Sequence, residues 1–315
     1  MSIQSRFRGM ALMLGLSAAA CGPTQPSPTA APPTAVPTQT PAVVPLTVTP
    51  PPFTNLLVVD QPAMYAVSVH TYRYTPIEAS TTDLALDVYY PASWTPGQQL
   101  PAVLFANDFP MSSELGSCGR LCYSYPSWGR LIAANGLITV IYDSDHPSDM
   151  EAVAGFIRTH ARDLGIDADR LGVMGVSADA SRAEAFALEE GHEYVKFLVL
   201  YYGYLMTPDD FRRAEFDQVA LDVGFYGTEL GSIRQLRQDL PTLAVSCGQD
   251  TDLNTKSADH FKTLAEEIGM PLTFVSFENG HHVFDVADPS TADVKDEAVR
   301  IVEQTLEFMK EHAGL

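Results

Sequence analysis

The chain is 315 residues long, with 39 acidic against 19 basic side chains and a formal net charge of −20. That balance argues against nucleic acid as a partner and against adhesion to an anionic membrane surface. Hydrophobic residues make up 46% of the sequence, enough material for a sizeable core.

Residues 1–20 have the pattern of an export signal. Arg6 and Arg8 give a basic start, residues 10–16 an apolar stretch, and Ser17 to Ala20 a run of small side chains. The apolar stretch is too short to span a bilayer. Cys21 follows directly, an arrangement that resembles the cleavage site of bacterial lipoproteins and makes Cys21 a candidate lipidation site; ordinary secretion is the alternative. Residues 21–52 are almost wholly Pro, Thr, Ala, Val, Ser and Gln. Such a segment cannot bury enough apolar surface to offset its ordering entropy, and its prolines favour an extended chain. It reads as a disordered tether, holding a folded domain at a bacterial cell envelope outside the cytoplasmic membrane.

Residues 53–315 have the size of one large α/β domain. Alternating side chains over 67–74 and 84–90 predict strands at an antiparallel edge. Short apolar runs at 102–106, 137–142, 171–175, 197–201, 243–247 and 272–277 predict strands buried on both faces of a parallel sheet. Between them, Ser148 and Glu151 form a capping-box pattern ahead of a helical stripe through Val153, Phe156, Ile157, His160 and Leu164. Residues 180–190 favour helix up to Gly191, and Thr207-Pro208-Asp209-Asp210 marks another helix start. Residues 255–268 run into Gly269, and 291–312 supply a C-terminal helix. This alternation predicts a mostly parallel sheet of about eight strands flanked by helices. Residues 207–240 exceed a simple crossover and are expected to contribute a cap over the site.

Cys118 and Cys122 sit in a Gly/Ser-rich loop without a second pair of ligands, so in an exported chain they read as a local disulfide rather than a zinc site. Cys247 reads as a buried, inert strand cysteine. Asp143, Asp145, His146 and Asp149 follow a strand; a solvated loop feeding a helix cap explains them, with a substrate or cation contact as the minor alternative.

Three segments carry the chemistry: Gly175-Val-Ser-Ala-Asp179, Gly248-Gln-Asp250, and His281-His-Val-Phe-Asp285. Each closes or follows a predicted strand. Their order of nucleophile, acid and histidine is that of the Ser–Asp–His triads built on strand-to-helix elbows. A serine hydroxyl needs a histidine to take its proton and a carboxylate to orient that histidine. Ser177 is the candidate nucleophile, with a helix N-cap as its plain alternative. Asp250 competes with Asp252 for the acid, and His282 with His281 for the base; a metal reading of the tandem histidines lacks a third ligand at suitable spacing.

From about Ala102 to Phe284 the chain resembles an α/β-hydrolase, and within that superfamily it is similar to dienelactone-hydrolase-like serine hydrolases. The stretch Cys247-Gly-Gln-Asp-Thr-Asp-Leu-Asn254, the following helix, Pro271-Leu-Thr-Phe-Val and His282-Val-Phe-Asp285 carry the resemblance. It implies Asp250 and His282 as triad members beside Ser177, which stands where dienelactone hydrolases proper have cysteine and so implies esterase-like chemistry. It also implies an oxyanion hole from the backbone N–H groups of Ala178 and Phe109. Two positions depart from the family pattern: Asp179 where a small residue is usual, and Asn107-Asp108 where His-Gly is usual. Those departures would suit a degenerate binding or scaffold module, the alternative to an ester hydrolase acting on a small-molecule or acylated substrate. No metal or organic cofactor is implied.

Overall fold

The computed structural model describes residues 43–48, 51–78, 84–107, 119–146, 148–205 and 237–315. Eight strands form one sheet: β1 (Ser68–Arg73), β2 (Ala85–Tyr90), β3 (Leu100–Phe105), β4 (Ile138–Tyr142), β5 (Ile166–Val176), β6 (Val195–Tyr201), β7 (Thr242–Cys247) and β8 (Leu272–Phe277). Their order is β1-β2-β4-β3-β5-β6-β7-β8. The β1–β2 and β2–β4 pairs are antiparallel, and every other pair is parallel. The antiparallel edge thus lies where the alternating segments predicted it, and the six apolar runs form the parallel part.

The apolar runs are continuous because both faces of the sheet are covered. Leu104, Val140, Val173, Leu198 and Leu200 point to one side, against the helices α2 (Asp149–Thr159), α4 (Asp179–Leu188) and α5 (Asp252–Ile268). Val103, Phe105, Ile141, Met174, Val199 and Tyr201 point to the other, against α1 (Tyr125–Ala134) and α6 (Lys295–Ala313). His160 alone separates α2 from the short α3 (Ala161–Leu164), breaking the helical stripe that the sequence carries on to Leu164.

Several local expectations need correction. Ser148 makes no capping bond to α2; instead the Asp149 carboxylate accepts the N–H groups of Asp145 and His146 at 2.8 and 2.9 Å. Glu151 is turned away from any box and faces His192 at 3.4 Å, linking α2 to the end of α4. Burial alone would lower the His192 ring, but Glu151 and the Phe186 carbonyl raise it above its ordinary value. The C-terminal helix begins at Lys295, because Asp288 and Pro289 first open a tighter 3-10 segment, Pro289–Val294. Ahead of residue 53, the Val43 N–H donates to Asp163 and the Leu46 N–H to the Thr71 carbonyl. The cap expected at 207–240 lies outside the described residues except for its last four positions, and Cys21 and the signal segment lie outside them too.

Helix α1 is the element the sequence pattern concealed. Its Pro126 lies in the first turn, where no intrahelical N–H is needed. Gly129 is where the helix meets the sheet: a Cβ there would lie 2.9 Å from the Tyr89 ring. Tyr89 is itself buried, so it cannot give way. Gly129→Ala should therefore destabilise the fold by roughly 1–3 kcal/mol through overpacking. Gly155→Ala, in the open on α2, should stabilise it by about 0.5–1 kcal/mol. Urea unfolding of both variants checks the contrast, and equal effects would place α1 further from the sheet.

Candidate active site

At the carboxyl end of β5 the chain turns sharply into α4, and Ser177 sits on the turn with φ +53°. A non-glycine residue in this left-handed region costs of order 1–3 kcal/mol and persists only where its surroundings enforce it. The enforcement is steric and hydrogen-bonded. A Cβ on Gly175 would fall 2.6 Å from the Ala183 Cβ and 2.8 Å from the Ala180 Cα, so β5 and α4 approach as closely as backbone allows. The Ser177 N–H donates to the Tyr201 carbonyl at 3.0 Å, and its carbonyl accepts the Ala180 N–H at 3.2 Å.

Ser177 Oγ lies 2.8 Å from His282 Nε2. His282 Nδ1 lies 2.8 Å from Asp250 Oδ2. Asp250 Oδ1 accepts the Thr251 N–H at 2.7 Å and the Asn254 side-chain amide at 3.1 Å. The three sequence candidates are thus joined by one hydrogen-bonded path, drawn from the turns after β5, β7 and β8. The competing candidates stand apart. Asp252 is almost fully exposed and faces Lys256 at 3.7 Å, and His281 is exposed. The job of capping α5, the plain alternative for Asp250, belongs to Thr251, whose side chain accepts the Asn254 N–H.

Electrostatics suit an orienting carboxylate. Burial alone would raise Asp250, whose side chain is only 2% exposed. The hydrogen bonds from His282, Thr251 and Asn254 outweigh burial and hold it below the ordinary carboxyl value.

Asp179, at the position where a small side chain is usual, does not obstruct the turn. Its carboxylate is fully buried and accepts the Tyr125 hydroxyl. The small residues that close this elbow are Gly175, Ala180 and Ala183, so the restriction falls on other positions. Asn107, the other departure, is buried at the end of β3 and donates its side-chain amide to the Tyr142 carbonyl at 2.7 Å. Ala178 precedes α4 at its N-terminal end, where backbone N–H groups lack intrahelical partners and the helix dipole is positive. Phe109 and Cys118 lie outside the described residues. Cys122 is disulfide-bonded, and Cys247 is buried at the end of β7 with its thiol pushed up by burial.

A cavity of about 300 Å³ opens over Ser177 and His282, walled by Val176, Tyr125, Tyr123, Tyr202 and Val283. Among the described residues, the non-glycine residues with positive φ are Tyr123 (41°), Ser177 (53°), Tyr202 (35°) and Val283 (63°). All four line this one cavity. Sequence reasoning did not find Tyr123, Tyr125 or Tyr202. The available signal for Tyr202 was its place directly after an apolar run neighbouring the elbow strand. Beneath the cavity Asp285 is fully buried, accepting the Tyr202 hydroxyl and the Trp128 indole N–H, each at 2.6 Å.

The acidic loop before α2 proves structural. Arg120 bridges Asp87 and Asp143, and Asp149 holds backbone N–H groups. Among the described residues, Glu151, Glu189 and His192 form a group with metal-ligating atoms within 4.8 Å of one another. It lies at the end of α4 opposite Ser177.

Asp250 also gives a stability test. Because its folded value is depressed, its contribution is fully present above the unfolded carboxyl value of about 3.9 and is lost as pH falls through the lower folded value. The stability gap between the wild type and Asp250→Asn should therefore narrow as pH drops from about 5 to about 2. Urea midpoints across that range measure it; a constant gap would mean that Asp250 ionises as freely in the folded chain as in the unfolded one.

No protein-family model matches the chain, and no curated protein matches it in sequence. Solved structures do match. The native form of the thermophilic esterase Est2 from the Planctomycetes species Thermogutta terrifontis aligns with a TM-score of 0.58 at 18% identity, covering 78% of this chain and 93% of that one. Its propionate-bound form aligns at 0.59 and 18% identity, over 78% and 95%. The form phosphorylated by paraoxon aligns at 0.56 and 18% identity, over 77% and 94%. Strand order, elbow and these alignments together establish the α/β-hydrolase fold for this chain.

Proposed function

We propose that this chain is a serine hydrolase that cleaves carboxylic esters, a carboxylesterase of the dienelactone-hydrolase-like kind. The observation that carries the reading is the unbroken path from Ser177 through His282 to Asp250, with both contacts at 2.8 Å, at the floor of a cavity. In the first step Ser177 Oγ attacks the ester carbonyl while its proton passes to His282 Nε2. Asp250 keeps the other ring nitrogen protonated and stabilises the imidazolium that forms. The tetrahedral oxyanion is held by the backbone N–H of Ala178 and, on the family resemblance, of Phe109. Collapse expels the alcohol, which takes the proton from His282 and leaves an acyl-serine. Water then repeats the sequence, releasing the acid and restoring Ser177.

The fold likeness supports short acyl groups as substrates, since the Thermogutta esterase is recorded with propionate and with butyrate bound. It also supports an activated serine, since that esterase is phosphorylated by paraoxon and phosphonylated by sarin. The cavity volume of about 300 Å³ and its mostly apolar walls agree with small, neutral acyl chains.

Ser177→Ala should abolish turnover of p-nitrophenyl acetate and butyrate, and should no longer react with a fluorophosphonate probe, while unfolding at an unchanged temperature. Wild-type chain that neither turns over these esters nor takes the probe would favour the degenerate binding module instead.

We further propose that the enzyme works outside the cytoplasmic membrane on a lipid tether attached at Cys21, with residues 21–52 as the spacer. The support is the basic, apolar, small-residue and cysteine succession of the N-terminal sequence. Expression with a labelled fatty acid in a bacterial host should mark the full-length chain and not Cys21→Ser; equal absence of label from both would indicate plain secretion.

A further inference from the structure

Asp285 is a buried carboxylate that the hydrolytic steps above leave unused. It lies three residues after His282, fully buried, and both its oxygens accept neutral donors: Oδ1 from the Tyr202 hydroxyl and Oδ2 from the Trp128 indole, each at 2.6 Å. Its own carbonyl accepts the Val58 N–H at 2.7 Å, so its backbone is fixed as well. An ionised carboxylate in such a place is costly unless something returns the expense. Of the side chains that bear on its charge, His282 is the one able to become cationic.

The tyrosine links the two. Tyr202 follows β6 with φ +35°, its N–H donating to the Val245 carbonyl at 2.8 Å. Its ring meets the His282 imidazole edge-on, with centroids 4.9 Å apart. Burial, and then the neighbouring Asp285, hold the Tyr202 hydroxyl well above its ordinary value, so it stays a donor. Trp128 reaches Asp285 from α1, and its ring packs edge-on against Tyr201 at 5.6 Å.

Building on the hydrolase reading, we propose that Asp285 is a positioning residue for the general base, acting through Tyr202 to hold the His282 ring between Ser177 and Asp250. The same carboxylate, sunk in a medium of low polarisability, favours the protonated ring that the attack step creates. The groups that face His282 divide by element. Ser177 comes from the β5–α4 turn, Asp250 from the β7–α5 loop, and Tyr202 from the end of β6. Asp179 at the start of α4 and Tyr125 on α1 line the same cavity, and Cys247 ends β7 within electrostatic reach of both Asp250 and Asp285. Asp250 is held low by its hydrogen bonds; burial raises Asp285 above its ordinary value, against the hydrogen bonds from Tyr202 and Trp128 and the nearby His282, which pull it down.

The test uses the full chain with Asp285→Asn and Tyr202→Phe. In Asp285→Asn the amide oxygen can still accept from Trp128, and its N–H can donate to the Tyr202 hydroxyl, so the clamp keeps its size and loses its charge. The expected result is a kcat for p-nitrophenyl acetate lower by roughly tenfold or more with KM little changed. The acid limb of the kcat/KM profile should move to lower pH, by about half a unit or more, because a nearby negative charge is gone. The His282 ring, followed by its ¹⁵N resonances, should titrate lower by a similar amount. Tyr202→Phe should also lower kcat at constant KM. Wild-type kcat together with an unmoved His282 titration in Asp285→Asn overturns the proposal, whatever happens to the unfolding temperature. Should that variant not fold, wild-type kcat in Tyr202→Phe overturns it instead. The ring titration reads the coupling of Asp285 to His282 even in a chain that cleaves no ester, so failure of this inference and failure of the hydrolase reading are told apart.

Discussion

The close approach of β5 to α4 at Gly175 is the constraint on which the site depends. Ala180 and Ala183 sit against a glycine that can carry no Cβ, and the chain between them has no room for a relaxed turn. Ser177 is therefore driven into left-handed backbone, with its N–H tied to the neighbouring strand at Tyr201. The result is a hydroxyl lifted above the carboxyl edge of the sheet, beside the first turn of a helix. His282 and Asp250 are themselves not left-handed, although Val283 beside His282 is, and the turns after β7 and β8 pack closely at Gly248 and Gly280. One steric contact fixes the nucleophile, and hydrogen bonds bring the other two to it.

Open parallel sheets collect functional side chains at the carboxyl ends of their strands. Here the turns after β3, β5, β6, β7 and β8 deliver Asn107, Ser177, Tyr202, Asp250 and His282. Each comes from a different strand, so the register of the whole sheet sets their spacing. The two antiparallel strands at the edge add nothing directly to this cluster. They instead carry Asp87, which joins Arg120 and Asp143 in a buried charge group that fastens the segment before α1.

Much of the fold was legible because buried parallel strands leave continuous apolar runs, which mark six of the eight strands, while alternating side chains mark the two antiparallel ones. Ser177, Asp250 and His282 were legible because each follows such a run at short distance. What escaped was whatever depends on contact between elements. Helix α1 was hidden by Gly129, a residue that weakens helix locally but is required by the Tyr89 ring. The cap of α2 was misread because Ser148 has the usual chemistry, while the bonds made there are those of the Asp149 carboxylate to the N–H groups of Asp145 and His146 in the preceding loop. Asp179 looked like an obstruction because the sequence cannot tell which small residue closes the elbow. Tyr202 follows an apolar run and Asp285 closes the His282-Val-Phe-Asp segment, but nothing in the sequence says that they pair; that exists only once β6 and the loop beyond β8 are neighbours.

The four left-handed residues, Tyr123, Ser177, Tyr202 and Val283, surround one cavity. Each holds backbone that a relaxed chain would abandon, so this rim is the region with the most to gain from local loosening. Selection for heat resistance and selection for turnover would then act on the same handful of positions in opposite directions. A chain of this build would harden at its periphery first, since hardening the rim means surrendering the very posture that lifts Ser177 above the sheet edge.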